Sequence, residues 1–269
     1  MKKKSKFPGI YLAVIIFITY IPIILTVIYS FNESKISSTW GGFSLKWYEQ
    51  LFQNRDLREG LKNSIVLAGL SCLSAIVIGT TGAIGMQKWK CKANDFMANL
   101  SLLPLMIPEI ILGMVFLATF SLMNLPFGML TLVIAHTAFC VPYIFMTVRA
   151  RLQGMDPSIE EAARDLGASG FQIFRDITFP AILPAILSGA LLSFAASFDD
   201  VVISIFVTGP KVNTLAIMIY TRMKTGVTPE INALATVILV ITIGIILLAS
   251  LIGQVGKRYK IKNVEERGE

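Results

Sequence analysis

The chain is poor in charged residues, cysteine and histidine, and each shortage excludes a class of protein. Only 15% of its 269 residues are Asp, Glu, Lys or Arg, whereas soluble domains carry about 25%. The three cysteines stand apart, without the spacing of a metal site or a redox pair. We therefore do not expect a soluble globular fold, a disulfide scaffold or a cysteine-ligated metal.

Catalytic signatures are also missing. The sequence has no glycine-rich phosphate loop ending in Gly-Lys-Ser or Gly-Lys-Thr, no His-Glu-x-x-His and no Gly-x-Ser-x-Gly. We predict no enzymatic activity, no catalytic residue, no metal and no cofactor bound by this chain. The net charge of +7 is spread over the flanks of apolar segments instead of one patch, so nucleic acid is not a predicted partner.

What the chain has in abundance is apolar sequence in blocks as long as a bilayer is thick. Hydrophobic residues make up 54% of it, and ~20 consecutive apolar residues suffice for one helix to cross a membrane. We predict an all-α polytopic membrane protein, a single transmembrane domain over 1–269 in contact with membrane lipid. Its six predicted spans lie at about 9–31, 63–86, 97–122, 128–148, 181–207 and 231–256.

The basic residues indicate the orientation of these spans. Most of the 24 Lys and Arg fall at the N-terminus, in the loop near Lys88, after span four and in the C-terminal tail. Cytoplasmic loops carry the excess of Lys and Arg in membrane proteins. Both termini and the segment 156–180 are therefore expected in the cytoplasm.

A long polar interval between spans four and five carries helix signals twice. Ser158 followed by Glu161 has the pattern of a capping box, and Ser169 followed by Gln172 repeats it. Gly167 lies between them, where a first helix would stop. The pattern predicts two short helices that meet at a glycine elbow.

The second of these helices has an apolar stripe. Phe171, Phe174 and Ile177 recur at three-residue spacing, as on one face of a helix. Pro180 and Pro184 are expected to break the helix where the next hydrophobic run begins, because proline has no N–H to donate. The simplest interpretation of the interval is a capped connector between two membrane helices.

The same interval resembles the cytoplasmic Glu-Ala-Ala signature of ABC importer permeases. The matching residues are Glu161, Ala162, Ala163, Gly167, Ile177 and Pro180, with Phe179 where leucine is more usual. The resemblance implies the type I ABC importer permease fold and a 156–180 element that docks on the ATP-hydrolysing subunit. The expected ATPase-coupling residues are Glu160, Glu161, Ala162, Ala163, Gly167, Phe171, Phe174, Ile177 and Pro180.

Carboxylates inside predicted spans are costly in a bilayer and so indicate function. Glu109 lies in span three with no basic residue mid-span to pair with it, and Asp199 and Asp200 interrupt span five. Neighbours on a helix point about 100° apart, so both aspartates face one pathway only if the helix unwinds. Otherwise one is a cap or the partner of a base. We predict Glu109, Asp199 and Asp200 as substrate-pathway residues, and interpret His136 as a structural residue that donates an interhelical hydrogen bond.

Further segments resemble the inner-membrane permease of spermidine/putrescine ABC importers. They are Pro104–Ile110, Ala135–Tyr143, Ser197–Val202 and the external Phe43–Tyr48. The resemblance implies a bacterial cytoplasmic membrane protein with a second, homologous permease, two ATP-binding subunits that hold ATP and Mg²⁺, and an extracytoplasmic solute-binding protein. Unpaired carboxylates favour the same substrate class, because a polyamine is a chain of ammonium groups.

Alternatives remain at this point. Permeases for iron, thiamine or other small cations share similar segments, and the preferred polyamine is left open. An ion-coupled secondary transporter with the acids as relays would need no ATPase partner, but it leaves the polar interval unexplained. A scaffold or sensor protein would carry no flux.

Overall fold

A computed structural model describes residues 7–35, 39–89, 94–226 and 228–244. Within these ranges the regular structure is helical, apart from one isolated antiparallel bridge between Asn32 and Phe43. This confirms the predicted all-α fold. The helices are α1 (Phe7–Tyr29), α2 (Lys46–Gln53), α3 (Arg55–Lys88), α4 (Asn94–Met106), α5 (Glu109–Leu122), α6 (Met129–Gln153), α7 (Pro157–Asp165), α8 (Gly170–Ile173), α9 (Phe179–Asp199), α10 (Val202–Val207), α11 (Leu215–Thr225) and α12 (Pro229–Gly244), with a π-helical turn (Phe174–Thr178) joining α8 to α9.

Four helices of the described residues are long and apolar enough to cross a membrane: α1, α3, α6 and the continuous helix Gly170–Asp199. A fifth candidate is the pair α4 and α5, whose axes are bent by 102°. α12 is shorter, and residues 245–256 of the sixth predicted span lie outside the described residues, as do the basic residues 1–6 and the C-terminal tail. The predicted count of six spans is therefore not confirmed.

The chain divides into two compact units. One unit consists of the two ends of the chain, residues 1–55 and 221–269 as far as they are described. In it, the loop after α1 is organised by Asn32, whose side-chain oxygen accepts from Gly41 N at 2.8 Å and whose backbone oxygen accepts from Trp47 Nε1 at 2.7 Å. These bonds give hydrogen-bond partners to both oxygens of the buried Asn32 and to the indole N–H of Trp47.

The other unit, residues 56–220, has its core between α6 and α9. Gly189 lets the two helices approach closely, since a Cβ there would lie 3.0 Å from the Cα of Ile144. Cys140 and Ser193 then exchange hydrogen bonds, Sγ to carbonyl at 3.4 Å and Oγ to carbonyl at 3.1 Å. Small residues and interhelical hydrogen bonds are the usual means of packing helices in a membrane. This pair forms the frame for the polar residues described next.

Candidate functional site

Span three is broken between α4 and α5. Pro108 has φ −54° and ψ 131°, which is extended backbone, and the two helix axes diverge by 102°. Proline has no N–H for the helical ladder and disfavours helical backbone in the residue before it, so Ile107–Pro108 is where the break falls. Glu109 becomes the first residue of α5 and is exposed there.

Span five is interrupted at the two adjacent acids. α9 ends at Asp199, Asp200 is extended at φ −64° and ψ 126°, and α10 begins at Val202. The Asp200 carboxylate accepts from Ile203 N at 3.2 Å and from Ser204 N at 2.9 Å, which caps α10. Asp199 is exposed and Asp200 is buried. The helix does unwind here, and one of the two acids is a cap.

His136 on α6 joins both sides of this interruption. Its Nδ1 lies 2.8 Å from Ser197 Oγ on α9, and its Nε2 lies 3.0 Å from Ser204 Oγ on α10. Nε2 is also 3.4 Å from Asp200 Oδ2. The side chain is fully buried, and its interhelical hydrogen bonds confirm the interpretation from the sequence. Its position beside the acid pair was not predicted, because no local pattern signals it.

The two helix breaks open onto one cavity of about 410 Å³. All three predicted pathway acids line it, together with Phe139 and Tyr143, whose rings meet edge to face with centroids 5.8 Å apart. Among the described residues, no Lys or Arg lines this cavity. Carboxylates and aromatic faces without basic side chains are chemically suited to a cation.

α7 begins differently from the prediction. Asp156 is the N-cap, and its carboxylate accepts from Ser158 N at 3.0 Å, with Pro157 in the first turn. The predicted capping box of Ser158 and Glu161 is therefore wrong, because proline at the first helical position places the cap one residue ahead of it. The bond from the Ser158 amide lowers the pKa of the Asp156 carboxyl.

The predicted glycine elbow is present. Gly167 has φ +86°, a left-handed conformation that favours glycine. The Gly167 amide donates to Arg164 O at 2.9 Å, and the Ala168 amide donates to Ala163 O at 3.0 Å. These two bonds form a Schellman motif, so the end of α7 satisfies its own carbonyls.

The second helix starts as predicted but does not end as predicted. Ser169 N donates to Gln172 Oε1 at 2.7 Å and Gln172 N to Ser169 Oγ at 3.3 Å, a complete capping box. The expected break at Pro180 and Pro184 is wrong, since the helix runs on through both. The π-helical turn Phe174–Thr178 ends two residues before Pro180. In a π-helical turn the hydrogen bonds join residues five apart instead of four. This moves the preceding carbonyl groups relative to an α-helix, so the proline ring fits without breaking the helix.

Within the segment 156–180, Thr178 Oγ1 donates to Glu160 Oε1 at 2.9 Å and so joins α7 to the π-helical turn. Four large apolar side chains of this segment are exposed: Leu166 by 89%, Phe171 by 69%, Ile159 by 51% and Phe179 by 41%. Leu166 and Ile159 were not singled out from the sequence. The predicted coupling residues divide into exposed (Glu161, Ala162, Gly167, Phe171, Pro180) and half-buried (Glu160, Ala163, Phe174, Ile177).

Bilayer-length helices around a polar cavity define an α-helical, multi-pass membrane protein. Residues 75–260 match the family described as "Binding-protein-dependent transport system inner membrane component". The chain belongs to this family. Its fold and its relatives make it a transport subunit and not an enzyme.

Among curated proteins, the chain is 39% identical over 235 residues to the spermidine/putrescine transport system permease protein PotC of Escherichia coli (strain K12), covering 87% of this chain and 89% of that protein. It is also 39% identical over 227 residues to the putrescine transport system permease protein PotI of the same strain, covering 82% and 81%. The similarity extends over most of each chain.

Solved structures show the same fold at lower identity. A bacterial ABC transporter involved in the import of the acidic polysaccharide alginate matches with a TM-score of 0.73 at 15% identity, covering 94% of this chain and 99% of that one. The MetNI methionine ABC transporter matches with a TM-score of 0.61 at 20% identity, covering 72% and 92%. The expected type I ABC importer permease fold is confirmed.

Proposed function

We propose that this chain is the permease subunit of an ATP-driven importer that carries polyamines such as spermidine and putrescine. The cavity at the two helix breaks carries this proposal, because Glu109 and Asp199 stand exposed in it beside Phe139 and Tyr143. The Escherichia coli relatives are named as spermidine/putrescine and putrescine permeases. Cavity chemistry and similarity thus favour the same substrate class over iron, thiamine or another solute.

Electrostatics favour an organic cation in this cavity. A carboxylate and an ammonium group ~4 Å apart interact by about 4 kcal/mol at an effective dielectric constant of ~20, before desolvation. Aromatic faces add about 0.5–2 kcal/mol for each well-placed cation. An anion would meet the repulsion of the same carboxylates. A flexible chain of ammonium groups can use both kinds of contact at once.

The proposed route for energy is the coupling element, residues 156–180. Its apolar side chains at Ile159, Leu166 and Phe171 are exposed, and apolar groups rimmed by charge are typical of a protein contact. We assign this surface to an ATP-hydrolysing partner, which would hold ATP and Mg²⁺. The predicted coupling residues are those of this element.

The proposed assembly contains a second, homologous permease, two ATP-binding subunits and an extracytoplasmic solute-binding protein. Its place is the cytoplasmic membrane of a bacterium, with both termini and the coupling element in the cytoplasm, as the distribution of basic residues favours. An alginate transporter of the same fold was solved with its periplasmic protein, which supports this arrangement. We retain a single permease domain over 1–269 as part of the proposal.

The test is uptake of labelled spermidine and putrescine in cells without another polyamine importer. We expect uptake to require both this chain and an active ATPase partner. Uptake that persists after the ATPase is disabled would instead support the ion-coupled transporter. Absence of polyamine uptake in cells with all subunits present would refute the substrate, and competing cations would then be tested.

Two neutral variants test the cavity itself. Glu109→Gln and Asp199→Asn should each raise the KM of polyamine uptake about tenfold, which corresponds to about 1.4 kcal/mol of lost attraction. Glu49→Gln, at an exposed acid on α2 outside the cavity, should leave KM unchanged. Equal effects of all three variants would mean that the cavity has no special part in substrate binding.

A further inference from the structure

We propose that the two adjacent aspartates have separate roles: Asp199 contacts the substrate, and Asp200 with His136 forms a positioning pair that holds Asp199 at the cavity. This division rests on the proposed function. It accounts for two acids that stand side by side in the sequence and border the same cavity but differ in burial. Asp199 is exposed, whereas the Asp200 side chain is 3% exposed.

The Asp200 carboxylate is already engaged by the protein. Oδ1 accepts from Ile203 N, and Oδ2 accepts from Ser204 N and lies 3.4 Å from His136 Nε2. Two backbone amides and an imidazole face one carboxylate, so little acceptor capacity is left for a substrate ammonium. Although Asp200 borders the cavity, its contacts are those of a helix cap.

His136 makes the cap a link between three helices. Nε2 lies 3.0 Å from Ser204 Oγ and 3.4 Å from Asp200 Oδ2. Because the carboxylate can only accept, we place the proton on Nε2, and Nδ1 then accepts from the hydroxyl of Ser197 at 2.8 Å. Ser197 lies on the last turn of α9, and Ser204 on the first turn of α10. The imidazole thus holds both sides of the interruption against α6, and Asp199 is the last residue of α9, two residues after Ser197.

The same substitution at neighbouring positions separates the two roles. Asp199→Asn removes the charge that meets the substrate, so KM for spermidine uptake should rise about tenfold. Asp200→Asn keeps only one of the two accepting oxygens, so it disturbs the positioning pair and should also raise KM, but only while the Asp199 carboxylate is present. In the Asp199→Asn background, Asp200→Asn should leave KM unchanged; a further rise of KM there, in properly inserted protein, would show that Asp200 itself meets the substrate and would refute the division.

His136→Ala distinguishes positioning from a purely structural role. In the wild-type background it should raise KM about tenfold while the maximal rate per inserted molecule is retained, because the carboxylate is misplaced and the coupling element is untouched. In the Asp199→Asn background the same change should leave KM where it is, because the carboxylate it positions is gone. A further rise of KM in that background would refute positioning.

Two conservative replacements of His136, by glutamine and by asparagine, test the same pair if the His136→Ala protein does not insert into the membrane. Glutamine places an amide N–H near the position of Nε2, and asparagine places it near Nδ1. Because Nε2 is the nitrogen that lies 3.0 Å from Ser204 Oγ and 3.4 Å from Asp200 Oδ2, His136→Gln should retain more affinity than His136→Asn; the reverse order would refute the pair. Ser193→Ala is the matched control, since it removes another α6–α9 hydrogen bond, to Cys140 O, away from the interruption, and KM should not change.

The outcomes also separate this division from the proposed function. If wild-type protein in its full complex takes up no polyamine, the proposed function fails, and the division of roles falls with it. If wild-type uptake is normal and His136→Ala acts additively with Asp199→Asn, only the positioning pair fails.

Discussion

Replacing Gly167 with alanine perturbs the elbow of the coupling element without creating a steric clash. Gly167 has φ +86°, and a Cβ added there meets nothing within 4 Å. The cost of the substitution is therefore backbone strain alone. A non-glycine residue held in the left-handed region costs roughly 1–2 kcal/mol.

This strain acts on the angle between α7 and the helix that begins at Gly170. A cost of 1–2 kcal/mol lowers the population of the native elbow by a factor of about 5–30. We expect Gly167→Ala to weaken association with the ATPase subunit, and substrate-stimulated ATP hydrolysis, by a factor in that range. Membrane insertion should be unchanged, because the elbow lies outside the apolar core of the fold.

Gly170 is a matched control three residues away. A Cβ at Gly170 also meets nothing within 4 Å, and its φ is not in the left-handed region. As the first residue of α8 it lies in a helix, where alanine is favoured over glycine. Gly170→Ala should therefore leave coupling normal. Gly167→Asn should recover much of the loss, because asparagine visits the left-handed region more readily than alanine.

The assay is affinity capture of the ATPase subunit by the detergent-solubilised permease, followed by ATP hydrolysis in reconstituted complexes. Wild-type behaviour of Gly167→Ala would refute the reasoning, and so would equal losses in Gly167→Ala and Gly170→Ala. An asparagine variant no better than the alanine variant would show that left-handed strain is not the cause.

Two further predictions concern the cap of α7 and the packing of α5. The hydrogen bond from the Ser158 amide lowers the pKa of the Asp156 carboxyl. The cap is therefore fully formed above about pH 4, the ordinary pKa of an aspartate, and is lost as the pH falls through the lowered pKa. Protection of the Ser158 amide from hydrogen exchange should drop in that pH range, and Asp156→Asn should remove this pH dependence. A Cβ on Gly113 would lie 2.5 Å from the Phe206 ring, so Gly113→Ala should destabilise the protein by about 1–3 kcal/mol and lower its Tm in detergent. Gly69 has open space around it, so Gly69→Ala should leave the Tm unchanged. Equal melting temperatures for the two variants would contradict this packing.

Signals that act over a few residues were predictable. The capping box of Ser169 and Gln172 and the elbow at Gly167 depend on bonds within one helical turn, and both are present. The failures are also local and have named causes. Pro157 moved the first cap to Asp156, and the π-helical turn let the second helix pass Pro180, which no proline rule anticipates.

The residues of the cavity illustrate a different limit. Glu109, Asp199 and Asp200 were predicted as pathway residues from the cost of a carboxylate in a membrane. The sequence did not indicate which of the two aspartates is exposed to the cavity and which is buried. Asp200 differs from Asp199 through its local cap of α10 and through His136, which is 61 residues from Ser197 and 68 from Ser204. A pairing over such separations leaves no periodic trace in a single sequence.

The amino-acid sequence by itself determined the all-α membrane class and the pair of short helices joined at Gly167, because these depend on apolar run length and on hydrogen bonds between near neighbours. The family followed from the resemblance of its motif residues, which also stand close together in the sequence. Only the tertiary structure decided that two broken helices share a cavity, that Asp200 is a buried cap and that Asp199 is exposed. These depend on which helices pack together, because a side chain's environment inside a membrane protein is supplied by other helices.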